Sequence, residues 1–332
     1  MHSGILHGII LKSVILHGIV LHGIVLHGMG LHPTMLAAFF EFSRTPSSMC
    51  AAGILILAIA LWAAKTDLAQ ARGLDKIVAL GNLCFAAPLA VFGAEHFSAA
   101  SGIMRLVPAY MPWPLFWTYF VGVALVAASL SLATKIQARW SGLLFGIMMF
   151  SFVAMMDLPG ALATPRDRFS WALLCREMSF GAGGWLLSAA AIDGWQARGR
   201  TLLVTVGRIV IGVTAIFYGV EHFLHPVNVP GVPLEKLMPV WIPGRLLIGY
   251  VTGAILVAGG AGILLAKKAR MAATYLGTWI VLLVVLIYGP ILIAALADPS
   301  TDVKVEGLNY FFDTLLFAGT VLAVACATAR TD

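Results

Sequence analysis

Apolar runs long enough to cross a bilayer recur along the chain from about residue 50 to the C-terminus, separated by short polar segments. A hydrocarbon core about 30 Å thick requires roughly 20 apolar residues in a helix. The runs that reach this length are residues 77–97, 114–134, 140–163, 171–192, 202–223, 244–266, 271–296 and 307–329. A ninth run at 51–64 is shorter and fits either an uncleaved anchor helix or the apolar region of a signal peptide. The pattern predicts an all-α polytopic membrane protein.

The overall composition agrees with this pattern. Hydrophobic residues make up 60% of the chain and charged residues 11%, and the mean hydropathy is +0.94. Soluble domains of this length do not reach such values. The formal charge of +6 comes from Lys and Arg without interleaved aromatic residues, which argues against a nucleic-acid surface. The dispersed cysteines have no CxxC or zinc-site spacing and are expected to be buried thiols: Cys50, Cys84, Cys175 and Cys326.

Basic residues are divided unevenly between the two sets of loops. One set contains Arg105, Arg166, Arg168, Lys236, Arg245 and Lys304. The other set contains Lys65, Arg72, Lys76, Lys135, Arg139, Arg198, Arg200, Lys267, Lys268, Arg270 and Arg330. Because cytoplasmic loops are enriched in Lys and Arg, the richer side is predicted to be cytoplasmic, with the C-terminus inside. Cleavage after 51–64 would leave three basic residues outside, so the distribution favours an uncleaved anchor and nine spans. The expected location is the cell (inner) membrane.

Two stretches of the sequence repeat each other. GNLCFAAPLAVFGAEHF at 81–97 matches GRIVIGVTAIFYGVEHF at 207–223, an offset of 126 residues (207 minus 81). The next loop is five residues longer in the second copy, so the offset becomes 131 (239 minus 108). The matches beyond this loop include Pro108 with Pro239, Pro112 with Pro243 and Pro159 with Pro290. Each copy has four predicted spans, an even number, so both copies enter the membrane from the same side as a parallel repeat.

The repeat predicts two fused four-helix transmembrane bundles. The first unit covers residues 77–193 and the second covers 207–332, with a cytoplasmic linker at 194–206. A short anchor helix and a cytoplasmic linker at 49–76 precede them.

Residues 1–48 are a low-complexity extension in which histidine recurs at five-residue spacing. Five residues turn an α-helix by about 500°, so successive histidines lie on different faces and do not form a metal ladder. The pattern is typical of an upstream repeat translated from a misassigned start, with Met35 and Met49 as alternative starts. We assign no function to this extension.

The four-helix unit resembles the DoxX family of small membrane proteins. The resemblance is carried by GAEHF and GVEHF at the first-helix ends, by the proline-bearing VPAYMPWP and MPVWIP, and by NYFFDTLLFAGTVLAVA in the last helix. Some members of that family are membrane subunits of thiosulfate:quinone oxidoreduction or partners of redox enzymes. The resemblance therefore implies a four-helix fold and a redox-associated, quinone-linked membrane subunit, at most an accessory of an oxidoreductase. It supplies no fixed set of catalytic residues.

Ionisable residues inside the spans are the candidate functional groups, because each is costly in a bilayer. They are Glu95, His96, Glu221, His222, Asp157, Arg176, Glu177 and Asp313. All fall in the predicted outer half, which indicates one polar site or two equivalent ones. Alignment of the fourth helices places Arg176 and Asp313 at equivalent positions with opposite charges.

Each group also has a structural interpretation. The Glu-His pairs at helix ends suit interfacial anchors, with the glutamates paired to a nearby arginine such as Arg105 or Arg245. Arg176 suits an ion pair with Asp313 or with Asp157 that locks two helices together.

Three functional hypotheses remain open. In the first, His96 and His222 hydrogen-bond a quinone carbonyl and Glu95 and Glu221 transfer protons; a haem between the histidines is the less favoured form of this idea. In the second, the bundles enclose a path or site for a small solute or lipid. In the third, the protein is a non-catalytic assembly or scaffold subunit of the membrane, with no chemistry of its own. The sequence contains no CxxC, P-loop or HExxH motif, which argues against thiol exchange, ATP-driven work and zinc proteolysis.

Overall fold

The computed structural model of the protein describes residues 44–191 and 197–328. This part of the chain is α-helical, without a β-strand. Its long helices are α1 (Arg44–Gln70), α2 (Gly81–Ser98), α3 (Pro114–Thr134), α4 (Ala138–Ala163), α5 (Arg168–Ala190), α6 (Ala197–Leu224), α7 (Arg245–Leu264), α8 (Ala266–Ala297) and α9 (Thr301–Ala327). Thus α2–α5 form the first repeat and α6–α9 the second.

Eight of the helices in the described residues are long and apolar enough to cross a membrane, which confirms the all-α polytopic membrane class. The helix that does not meet this criterion is α5, although 171–192 is predicted from the sequence as a span. It is less apolar because it contains Arg168, Arg176 and Glu177. Since α5 packs against α4, α6 and α9, its polar residues face other helices rather than lipid.

The N-terminal helix α1 is longer than predicted. The apolar run at 51–64 is part of a 27-residue helix, about 40 Å long at 1.5 Å per residue. Gly53 allows α1 to approach Val91 of α2, since a Cβ added at Gly53 would lie 3.1 Å from the Val91 side chain. The low-complexity extension lies outside the described residues except for its last five positions, which begin α1.

The two repeats are packed into one another around their fourth helices. Helices α5 and α9 contact each other at the centre, α2 packs against α9, and α6 packs against α5. The equivalent glycines Gly81 in α2 and Gly207 in α6 make these crossed contacts. A Cβ at Gly81 would lie 3.2 Å from Leu322, and a Cβ at Gly207 would lie 2.7 Å from Leu186. One continuous hydrophobic core therefore includes residues of both repeats.

The repeated Glu-His-Phe motif has the same surroundings in both halves. Phe97 stacks on Tyr119 and Phe223 stacks on Tyr250, with ring centroids 6.1 Å apart in each pair. The preceding histidine lies over a glycine of the next helix. Added Cβ atoms at Gly122 and Gly253 would lie 3.0 and 3.1 Å from the histidine Cβ atoms. The motif thus packs the first helix of each repeat closely against the second.

The third helix of each repeat contains one π-helical turn, Val153–Asp157 in α4 and Val284–Tyr288 in α8. The two turns are 131 residues apart (284 minus 153), and a proline follows each within two residues. Proline lacks a backbone donor and clashes with the preceding turn, and a π turn accommodates it. These turns place the side chains of Asp157 and Tyr288 at equivalent positions.

The loops rich in Lys and Arg lie together at one end of the bundle, here called the basic end. Lys135, after α3, forms an ion pair with Asp67 of α1. Arg270, at the start of the third helix of the second repeat, donates to Asp75 at 3.0 Å. The Glu-His-Phe motifs lie at the opposite end.

Candidate functional site

A cluster of charged side chains joins the two fourth helices. Arg176 of α5 donates to Asp313 of α9 at 2.6 Å, and it donates to Glu177 at 2.8 and 3.2 Å. The three side chains are largely buried, with exposed fractions between 12% and 18%. The predicted ion pair with Asp313 is confirmed, whereas the alternative pair with Asp157 is wrong because Arg176 makes its hydrogen bonds to the other two carboxylates.

The opposite charges at these aligned positions follow from the symmetry of the repeat. Because α5 and α9 contact each other near the pseudo-twofold axis, equivalent positions on them face one another. Two arginines or two aspartates there would repel at short distance in a poorly solvated site. Arg176 and Asp313 instead form one charge-assisted pair across the axis.

The glutamates of the two Glu-His-Phe motifs also reach across the boundary between the repeats. Glu95 of α2 accepts a hydrogen bond from Asn309 of α9 at 3.1 Å. Glu221 of α6 pairs with Arg168 of α5 at 3.2 Å. Each glutamate therefore contacts the fourth helix of the other repeat.

The predicted glutamate partners Arg105 and Arg245 are wrong. Arg245 donates instead to the carbonyl oxygen of Met238 at 3.2 Å, and Arg105 lies in a 3₁₀ turn after α2. The loop arginines lie close in sequence, but the glutamates at the helix ends point towards the neighbouring helix rather than the loop.

The two motif histidines differ in their surroundings. His222 is fully buried. Its Nδ1 donates to the Tyr218 carbonyl at 2.6 Å, and its Nε2 accepts the Gly231 N–H at 3.2 Å. Both ring nitrogens are therefore used, and His222 has none left for a haem or a quinone. His96 makes the equivalent Nδ1 bond to the Phe92 carbonyl at 2.8 Å, while its Nε2 has no partner among the described residues.

The Gly231 N–H that donates to His222 belongs to a buried loop, residues 228–234, which we call the plug. Every residue of the plug is buried although none of them is helical. Non-helical backbone at membrane depth is tolerated where protein surrounds it and satisfies its polar groups. The flanking chain provides part of this support, since the Val229 N–H donates to the Lys236 carbonyl at 2.8 Å and the Met238 N–H donates to the Val227 carbonyl at 2.9 Å.

Side chains from several helices complete the hydrogen bonds of the plug. Arg168 of α5 donates to the Leu234 carbonyl at 3.2 Å, and the Thr314 hydroxyl of α9 donates to the Val232 carbonyl at 3.3 Å. Gly231 is at the centre, with φ of +143°. A Cβ there would lie 2.8 Å from both the Thr314 and Tyr288 oxygens. The position therefore requires glycine.

Two side chains of the site have buried polar atoms without partners among the described residues. The Asp157 side chain accepts no hydrogen bond from these residues, and its Oδ2 is inaccessible to water. Asp157 is nevertheless close enough to Arg176 and Glu177 to interact with them electrostatically. The Oδ1 atom of Asn309 is likewise buried and unpaired. Buried polar atoms usually have a hydrogen-bond partner, so these two are exceptions in the described part of the chain.

Several residues of the site are absent from the sequence-based candidates. Arg168 is predicted only as a loop cation, and Asn309 is not singled out, yet each binds a motif glutamate. Their spacing is informative in retrospect: Arg168 lies eight residues before Arg176 and Asn309 four residues before Asp313, on the same helix faces. The plug lies in the loop whose five additional residues shift the repeat offset from 126 to 131.

In the described part of the chain, no three His, Cys, Asp or Glu side chains are arranged to hold a metal ion. Comparison of the chain with protein-family models, with curated proteins and with solved structures gives no match. The fold and the buried charges define the class directly: this is a multi-pass helical membrane protein with a charged cluster at the interface of two repeats.

Proposed function

We propose that the protein binds a small polar solute or a lipid headgroup in the outer half of the cell (inner) membrane, as a binding or transport protein. In this orientation the basic end and the C-terminus are cytoplasmic. The observation that carries the proposal is the charged cluster of Asp157, Arg176, Glu177 and Asp313, in which Asp157 has no hydrogen-bond donor among the described residues.

A purely structural role accounts for this cluster only in part. An Arg–Asp pair can lock two helices, but it does not require Glu177 on the same guanidinium or Asp157 beside it. An ionised side chain costs up to roughly 2.5–3.5 kcal/mol at the centre of a membrane helix. A site in which three carboxylates share one cation therefore suits a ligand that supplies further positive charge or hydrogen-bond donors.

Replacing Glu177 with Gln is expected to remove ligand binding while preserving the fold, because the side chains have nearly the same shape. We expect compounds that co-purify with the wild-type protein in maltoside detergent, measured by mass spectrometry of extracts, to fall at least about tenfold in Glu177→Gln, the equivalent of roughly 1.4 kcal/mol. Asp67→Asn at the exposed basic end is the matched control and should retain them. Equal compound levels in all three proteins, or no bound compound in the wild type, would contradict the proposal.

A quinone-linked redox role is the second candidate, and it is favoured by His96. Because Nδ1 donates to Phe92, the neutral imidazole has only an acceptor at Nε2. Such a group binds the hydroxyl of a reduced quinol rather than a quinone carbonyl. This role predicts quinol in the wild-type extract and its loss in His96→Gln; wild-type protein without quinol would exclude it.

A further inference from the structure

The outward face of α6 is uncovered, although the same face of α2 is packed. Helix α2 contacts α1, α3 and α9. The counterparts of α3 and α9 on α6 are α7 and α5, whereas no helix of the described residues takes the place of α1. The difference is visible at aligned positions 126 residues apart (209 minus 83 and 213 minus 87). Leu83 and Ala87 are 8% and 1% exposed, whereas Ile209 and Val213 are 45% and 52% exposed.

A shallow pocket lies at the basic end of this face. Its volume is about 420 Å³, and it is lined by Arg198, Thr201, Leu202 and Thr205 at the start of α6. These residues recur at spacings of three and four, so they share one side of the helix. A pocket of this size suits a small headgroup rather than a second transmembrane helix, which is about 10 Å wide and 20 residues long.

The pocket side of α6 points towards two lysines at the start of α8. Arg208 lies three residues beyond Thr205, about one turn further along the same side of α6. Its guanidinium donates to the Ile263 carbonyl, in the last turn of α7, at 3.0 Å. Lys267 and Lys268 follow a few residues later, in the turn that begins α8. The pocket and the two lysines are therefore on the same side of α6, at the basic end.

The cations at this place have no carboxylate partner. Arg198, Lys267 and Lys268 are exposed, and none of them forms an ion pair with another described residue. The corresponding loop of the first repeat is neutralised by the anchor helix, because Asp67 of α1 pairs with Lys135 after α3. The second repeat thus lacks both the apolar cover and the negative charge that α1 supplies to the first.

We infer that the pocket binds the headgroup of an anionic phospholipid, whose acyl chains lie along the exposed stripe of α6. The phosphate supplies the negative charge that the three cations lack, and the Thr205 hydroxyl can donate to its oxygens. The chains cover Ile209 and Val213 in the place that α1 takes in the first repeat. A single lipid molecule provides both parts. This site is separate from the charged cluster in the outer half, and the inference does not depend on the ligand of that cluster.

The test compares two phospholipids that have the same acyl chains and differ in net charge. The full-length protein in maltoside detergent is titrated with dioleoylphosphatidylglycerol or with dioleoylphosphatidylcholine, and the bound lipids are counted by native mass spectrometry. We expect the first phosphatidylglycerol molecule to bind at least tenfold more tightly than the first phosphatidylcholine molecule. Equal affinities for the two lipids would overturn the inference.

Two variants examine the cations and the pocket separately. Arg198→Gln/Lys267→Gln/Lys268→Gln removes the charges and should weaken phosphatidylglycerol binding at least tenfold. Leu202→Trp fills the pocket without changing any charge and should weaken binding at least fivefold. Both variants replace exposed side chains, so the fold should be retained. Unchanged affinity in either variant would contradict the proposed site.

The matched control removes three exposed cations from the other half of the basic end. Lys65→Gln/Arg72→Gln/Lys76→Gln changes the net charge by the same amount beside α1, and phosphatidylglycerol affinity should change less than twofold. An equal loss in this control would show a diffuse attraction and would overturn the inference. A dimer, or a co-purified single-span protein, that is lost in Leu202→Trp would also overturn it, because a protein would then cover this face.

Discussion

Reversing one charge of the pair between the fourth helices, by Arg176→Asp or Asp313→Arg, is expected to destabilise the protein strongly. Arg176→Asp would place a new carboxylate beside those of Asp313 and Glu177, in a site whose side chains are at most 18% exposed. Removing one partner of a buried pair costs about 3–5 kcal/mol. In a chain of this size we expect the thermal midpoint in detergent to fall by about 5–15 °C.

The double variant Arg176→Asp/Asp313→Arg should recover most of this loss, because it restores opposite charges on the two facing positions. The control is the same reversal at Lys135 and Asp67, whose side chains are 48% and 44% exposed. Exposed pairs contribute at most about 1 kcal/mol, so this reversal should shift the midpoint little. A double variant no more stable than the single ones would show that the charges do not act as a pair.

Gly231→Leu is expected to expel the plug from the second repeat. A side chain there would lie 2.8 Å from the Thr314 and Tyr288 oxygens, and the φ of +143° is unfavourable for any residue with a Cβ. Overpacking alone typically costs about 1–3 kcal/mol, and a strained backbone adds a similar amount. We expect a lower thermal midpoint and faster trypsin cleavage after Lys236, since the chain on either side of the plug loses its anchoring contacts.

The first-repeat loop provides a matched control for this substitution. Gly102 also follows a Glu-His-Phe motif, but a Cβ at that position would have no neighbour within 4 Å. Gly102→Leu should therefore leave the midpoint and the cleavage pattern nearly unchanged. If Gly231→Leu behaved in the same way, the plug would not be a structural part of the second repeat.

The membrane class and the paired helices can be predicted from the sequence because they depend on local properties. The length of each apolar run determines the spans. The repeat is detectable because the Glu-His-Phe motifs and the spaced prolines seldom match by chance between two apolar segments. The full length of α1 is harder to predict from the sequence. The apolar run at 51–64 is followed by Lys65 and Asp67, where the hydropathy falls although the helix continues to Gln70.

Residues of the charged site can be predicted from the sequence only where two signals agree: the alignment of the two repeats and the predicted depth of each residue in the membrane. Arg176 and Asp313 are found together because they are aligned and have opposite charges. The partners of Glu95 and Glu221 are missed because they lie on fourth helices of the other repeat, an arrangement that sequence distance does not indicate. The plug is visible in the sequence only as a change in offset, and an insertion in a loop does not show whether it points outwards or into the bundle.

The pair on the pseudo-twofold axis also bears on the history of the chain. In a dimer of two identical four-helix units, the position of Arg176 would meet a second copy of itself, so neither arginine nor aspartate could be neutralised there by its twin. The Arg176–Asp313 contact can arise only after the two copies have diverged in sequence. A single unit released from the chain could therefore not rebuild this interface by self-association.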